Sequence, residues 1–292
     1  MIKIGTRGSK LALWQANWTQ AQLKENGYEA QIDIIRTKGD VVKDRFDKME
    51  GKGFFTAEIE HALLNGDVDL AVHCLKDLPT QSPPGLKIVA IPEREDARDC
   101  LVSKKPLGKN ADGTFNLNGL TVGTSSNRRV AGLKVHSPEA EFVPIRGNVP
   151  TRIQKMVDGA ADVIVLAQAG LNRLDIQQDD LHFYPLSVDE LVPAPAQGAL
   201  AMQVRENETR ALDFLHHAPS AAASDGERRV LRAMEGGCQM PLGVYIEAVD
   251  GAFQIRVFRG AHGNSDEPLR FQHRAADITT LVDETLEALK LT

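Results

Sequence analysis

The chain has 292 residues, 42% hydrophobic and 25% charged, enough for two or three globular domains with their own cores. Its 34 basic residues against 40 acidic ones give a formal charge of -6, so no global positive field draws it to nucleic acid or an anionic membrane. No stretch approaches the apolar length that spans a bilayer, and Cys74, Cys100 and Cys238 lie too far apart to suggest a disulfide framework. The segment Met1–Leu13 carries no apolar leader, which places the expected location in the cytoplasm.

Ile2–Ile4 reads as a strand, Gly5–Ser9 as a polar loop, and Leu11, Trp14, Trp18 and Ala21 recur at helical spacing up to Gly27. Ile32 and Ile34 mark a second strand, followed by a polar stretch from Lys38 to Gly53. A helix over Ala57–Leu64 stops at Gly66, and a strand over Leu70–Val72 ends at His73. The same grammar returns at Leu120–Gly123, Phe142–Ile145 and Val163–Leu166, each leading into a helix. This alternation predicts two doubly wound α/β domains of parallel strands, with functional loops at the strands' carboxyl ends. Pro193–Gly198 reads as an interdomain crossing. From Ser220 the pattern changes to a helix, a hairpin turning at Asp250-Gly251 and a closing helix from Ile278, a small α+β domain.

Cations fall just after the predicted strands. Arg7, Lys76, Arg128, Arg129, Arg146 and Arg173, several of them close to Ser, Thr or Gly, are expected to converge on one cleft. Arg128 and Arg129 open a helix, where the dipole disfavours cations and favours anions, so their placement implies a bound anion. Guanidinium forks fit carboxylates or phosphates. No phosphate-binding or dinucleotide-binding glycine loop is present, which disfavours nucleotides. Cys238, after Gly236-Gly237, reads either as an accessible thiol or as an incidental turn cysteine. Asp77, between a buried strand and Pro79, reads as an acid facing the cleft or as a turn acid paired with Lys76, and His73 as a packed strand-end histidine.

Taken together, Thr6-Arg7-Gly8-Ser9, Trp14-Gln15, Thr37-Lys38-Gly39-Asp40, His73 with Lys76-Asp77 and Pro79-Thr80, Gly123-Thr124-Ser125-Ser126 with Arg128-Arg129, Arg146-Gly147-Asn148 with Thr151-Arg152, Ala169-Gly170-Leu171 with Arg173, Gln197-Gly198-Ala199 and Glu235-Gly236-Gly237-Cys238 stand in one order along the chain. In that order they resemble the hydroxymethylbilane synthase (porphobilinogen deaminase) family. The resemblance implies head-to-tail condensation of four porphobilinogen molecules, with loss of ammonia at each step, on a dipyrromethane cofactor bound through a thioether to Cys238. It makes Asp77 the acid that stabilises the azafulvenium cation while accepting pyrrole N–H bonds. It assigns Lys76, Thr124, Ser126, Arg128, Arg129 and Arg152 to the cofactor, and Arg7, Ser9, Gln15, Arg146 and Arg173 to substrate or chain carboxylates. Lys48, Lys52 and Phe55 fall in the segment matching the family's lid.

The resemblance divides the chain into residues 1–95 with 196–214, residues 99–192, and residues 219–292. It also implies a monomer whose product could pass to uroporphyrinogen-III synthase. Departures from the family pattern are Cys74 for Ser, Ala57 for Lys, Glu50 for Gly, and Ala196 before Gln197-Gly198. Two other classes fit parts of the pattern: a carboxylate-binding receptor, which has no use for Cys238, and a cysteine hydrolase pairing Cys238 with His73 or His262.

Overall fold

A computed structural model describes residues 1–37, 56–234, 240–261 and 267–290. The chain divides into two compact units, residues 1–95 with 199–221 and residues 96–198 with 222–292. Among the described residues, no helix is long and apolar enough to cross a membrane.

Unit 1 is built on strands β1 (Ile2–Thr6), β2 (Ala30–Ile34), β3 (Leu70–Cys74) and β4 (Leu86–Ala90), with helices α1 (Lys10–Glu25) and α2 (Ala57–Asn65). Ser9 caps α1, and Gly66, in the left-handed region at φ 79, ends α2 where a side chain would be strained. Ile2, Ile4, Leu70 and Val72 bury one face of the sheet against Ala16 and Leu23 of α1. Ile59 and Leu63 of α2 pack with Val68, Ala71 and Leu86 in a second core.

Unit 2 repeats the plan with β5 (Asp99–Ser103), β6 (Thr121–Gly123), α3 (Asn127–Lys134), β7 (Glu141–Val143), α4 (Val149–Val157), β8 (Val163–Ala167), α5 (Gln168–Arg173) and β9 (His182–Pro185). The chain then returns to unit 1 as β10 (Leu200–Arg205). A three-stranded sheet of β11 (Leu242–Val249), β12 (Ala252–Arg259) and β13 (Leu269–Ala275) follows helix α6 (Ala218–Ala233), and α7 (Ile278–Lys290) closes the chain. Asp250 and Gly251, both at positive φ, form the hairpin turn.

The two large sheets share one strand order, β2-β1-β3-β10-β4 and β7-β6-β8-β5-β9. They are mixed where the alternation predicts parallel strands. β10 lies antiparallel between β3 and β4, and β5 antiparallel between β8 and β9. Both strands follow a crossing of the chain rather than a strand-helix repeat, so local periodicity carries no sign of their direction. Strands β4, β9 and β13 are likewise additions to the elements predicted.

The third sheet is fastened to the rest of unit 2 through the crossing segment. Val244 N–H donates to Pro193 O at 2.9 Å, and the buried Glu227 carboxylate accepts from Ala196 N–H at 2.6 Å and Ile246 N–H at 2.8 Å. Gly243 passes so close that a Cβ there would lie 2.5 Å from the Val192 carbonyl oxygen. Gly243→Ala is therefore expected to destabilise the fold by about 1–3 kcal/mol, read as a lower urea midpoint with an unchanged slope.

Candidate active site

In unit 1, β1 and β3 are parallel neighbours, so their carboxyl ends share one sheet edge. Beyond β1 the chain passes the half-buried Arg7 to Ser9, whose Oγ accepts Ala12 N–H at 3.3 Å. A hydroxyl that accepts in this way keeps its own hydrogen to donate. Gln15, buried on α1, donates from Nε2 to Cys74 Sγ at 3.1 Å and ties the helix to the end of β3. Residues 75–77 then form a short 3₁₀ turn, in which Leu75 N–H donates to Ala199 O at 3.0 Å. Leu75 and Leu78 are buried while Lys76 and Asp77 are exposed, so two apolar anchors hold a charged pair at the edge.

Just behind that turn, His73 is buried inside the sheet, and burial pulls its pKa down from 6.5 to about 4 against the weaker opposing effect of the Gln203 side chain. The imidazole is therefore neutral at pH 7, as expected of a packed strand-end histidine. Gln203 Nε2 in turn donates to Glu60 Oε1 at 3.1 Å.

In unit 2, β6, β7 and β8 run parallel, and their carboxyl ends bring together the loops that carry Thr124 to Arg129, Arg146 to Arg152, and Arg173. Thr124 Oγ1 accepts Ser126 N–H at 3.2 Å, and Ser126 caps α3. Asn148 caps α4, and Arg152 Nε donates to Gly147 O at 2.7 Å. Three helices with side-chain caps thus begin at strand carboxyl ends among the described residues, α1 in unit 1 and α3 and α4 in unit 2, and helix N-termini favour anions.

Arg128 and Arg129 are 5% and 7% exposed, and both reach Asp99, which is 0% exposed. Arg128 Nη1 lies 2.7 Å from Asp99 Oδ2 and donates to Val192 O at 2.7 Å. Arg129 grips Oδ1 with Nε at 3.0 Å and Nη2 at 2.7 Å, and donates from Nη1 to Val165 O at 2.8 Å. Gln197 Nε2 donates to the same Oδ1 at 3.1 Å and to Ala97 O at 2.8 Å. Burial pushes the Asp99 pKa up, but the two guanidiniums outweigh it and hold the carboxyl well below the usual range. Burial, joined by the neighbouring Arg129 charge, lowers Arg128 from its ordinary value against the opposing pull of Asp99. The anion that these arginines imply is thus partly internal.

Sequence reasoning missed Asp99 and gave no role to Gln197, which it quoted only within the Gln197-Gly198-Ala199 motif. Because β5 is antiparallel to β8, Asp99 at its start pairs with Ala167 at the end of β8, and a strand's first residue joins the strand-end edge. Arg173, 7% exposed, donates from Nη2 to Gly198 O at 2.6 Å. Cys238, Lys48, Lys52 and Phe55 lie outside the described residues, as do Glu50 and His262. Cys100 is buried, which pushes its thiol up to about 12 and leaves it unreactive.

The donor set suits a ligand rich in carboxylates. Two buried guanidiniums face one carboxylate, leaving a positive excess, and capped helix ends add neutral donors. The family model for "Porphobilinogen deaminase, dipyromethane cofactor binding domain" matches residues 2–213. The porphobilinogen deaminase of Campylobacter hominis is 40% identical over 272 residues, 91% of this chain and 86% of that protein. Those of Trichlorobacter lovleyi and Syntrophotalea carbinolica are 44% and 45% identical, over 87% and 84% of this chain and 86% and 78% of their own lengths. The periplasmic VFT2 domain of Bordetella pertussis BvgS is similar at a TM-score of 0.42 and 15% identity, over 79% of this chain and 92% of that one.

The neutral His73 has a consequence for stability. Its folded pKa of about 4 lies below the unfolded value of 6.5, so the unfolded chain takes up the proton first as pH falls. The contribution is complete above pH 6.5 and is lost progressively toward pH 4, amounting to up to about 3 kcal/mol. Urea melts from pH 7 to 5 should show this loss, and His73→Asn should flatten the slope.

Proposed function

This chain belongs to the porphobilinogen deaminase family, and from that premise we propose how its residues divide the work. It is a transferase, hydroxymethylbilane synthase, which condenses four porphobilinogen molecules head to tail into linear hydroxymethylbilane and releases ammonia at each step of this tetrapyrrole synthesis. Its dipyrromethane cofactor supplies, when bound, the two linked rings from which the product is extended. We assign the thioether to Cys238.

Asp77 is the catalytic acid in this reading. Departure of ammonia from the aminomethyl group of porphobilinogen leaves a cation on that ring. A carboxylate held at the sheet edge by Leu75 and Leu78 lowers its energy while accepting the pyrrole N–H. Lys76, Thr124, Ser126, Arg128, Arg129 and Arg152 bind the cofactor's carboxylates, and Arg7, Ser9, Gln15, Arg146 and Arg173 those of the substrate and growing chain. The observation that carries the assignment is the buried arginine pair with one carboxylate between its two charges. Oxygen ligands rich in negative charge fit it, and neutral or cationic ligands do not.

Lys48, Lys52 and Phe55 form the lid in this scheme. The acid and lid belong to residues 1–95 with 196–214, the arginines to residues 99–192, and the attachment cysteine to residues 219–292. The enzyme acts as a cytoplasmic monomer that passes its product to uroporphyrinogen-III synthase.

Intact-protein mass under denaturing conditions tests the reading directly. The purified protein should carry the mass of two linked pyrroles and colour with Ehrlich's reagent, and Cys238→Ser should lack both. A bare wild-type thiol would overturn the assignment. Asp77→Ala should lower kcat by at least about 10²-fold while leaving the melting temperature unchanged, because the side chain is exposed. Steady-state turnover near the wild-type rate would remove Asp77 from its role.

A further inference from the structure

Asp99 does more in this arrangement than hold two elements together. Its Oδ1 accepts from Arg129 Nε and Nη2 and from Gln197 Nε2, while Oδ2 faces Arg128 Nη1. Among the described residues, the charges acting on Arg128 are those of Asp99 and Arg129. All three groups are buried, so water and salt screen the imbalance poorly. The sum is two positive charges against one negative.

We propose that Asp99 is a positioning residue that holds the Arg128–Arg129 pair at one net positive charge and so limits it to a single ligand carboxylate, the ligand's identity resting on the family reading above. Asp99 occupies the Arg129 fork from within. Among the described residues Arg128 commits Nη1 to Asp99 and Val192 O. Gln197 prevents Asp99 from swinging away, because the same Nε2 that donates to Oδ1 is also held by Ala97 O. A pyrrole with acetate and propionate arms could otherwise place both on the pair. The internal carboxylate takes the place of the second arm.

Asp99→Asn separates charge from shape, since it keeps the size and part of the hydrogen bonding but leaves two uncompensated charges. Thermal melts of the purified holoenzyme at pH 7 should be compared in sodium formate and in sodium chloride of equal ionic strength. The variant is expected to melt about 3 °C or more higher in formate, which supplies the missing anion, while the wild type melts alike in both salts. A variant blind to the choice of anion would overturn the proposal, since a tie between β5 and α3 that acts by shape alone predicts no such response. The double variant Asp99→Asn with Arg129→Gln restores one net charge and should lose the formate response; retention of that response would count against the proposal. If Asp99→Asn gives no soluble protein, soluble double variant supports the charge argument, and failure of both overturns it. The cofactor mass of the wild type reports on the family reading separately, and the formate arm stays readable whatever that mass is.

Discussion

A buried carboxylate between two buried guanidiniums organises unit 2. Burying three ionised groups is costly unless each finds partners, and here Asp99 meets Arg128, Arg129 and Gln197 while the guanidiniums also reach Val192 O and Val165 O. The hub draws on strand β5, helix α3, strand β8 and the crossing segment at once. Removing one member would strand the others in a medium that solvates them poorly. A group this connected fixes the start of α3 and, through Ser126, the geometry of the loop before it.

Unit 1 solves a different problem with simpler means. It presents Lys76 and Asp77 at the sheet edge on a 3₁₀ turn, with two buried leucines flanking the two exposed charged residues. The contact from Gln15 to Cys74 and the bond from Leu75 to Ala199 brace the turn from both sides. Serine at position 74 would offer a shorter and stronger acceptor to Gln15, so the cysteine found here softens one brace without removing it. Ala196 is the other departure with a visible structural effect: it holds φ 61 with a side chain, and the Glu227 carboxylate secures its N–H.

Much of this was legible before any coordinates. Ser9, Gly66 and Asp250-Gly251 act on their own neighbours, so their roles as cap, stop and turn follow from local chemistry. Cations after strands announce themselves because parallel strands in a doubly wound sheet end on one side. The antiparallel strands β5 and β10 do not, since their direction depends on partners far along the chain. Asp99 was hidden for the same reason. Within Glu93-Arg94-Glu95-Asp96-Ala97-Arg98-Asp99 it looks like one more solvated charge, and only the antiparallel pairing reveals it as buried. The strand Leu269–Ala275 alternates between half-buried and exposed side chains, but His273 stands where an apolar residue would mark the inner face, and the strand shows itself only once β12 pairs with it.

The shared strand order has a consequence for synthesis on the ribosome. Every strand of the second large sheet lies within residues 99–185, so that sheet can close as soon as this stretch has emerged. The first sheet waits for residues 200–205, which must enter between two strands made more than a hundred residues earlier. Within this chain unit 1 starts to emerge before unit 2, yet unit 2 is the first whose sheet can be complete. Until β10 arrives, β3 and β4 present unpaired backbone edges, and the nascent amino-terminal half is the part of this polypeptide most in need of a chaperone.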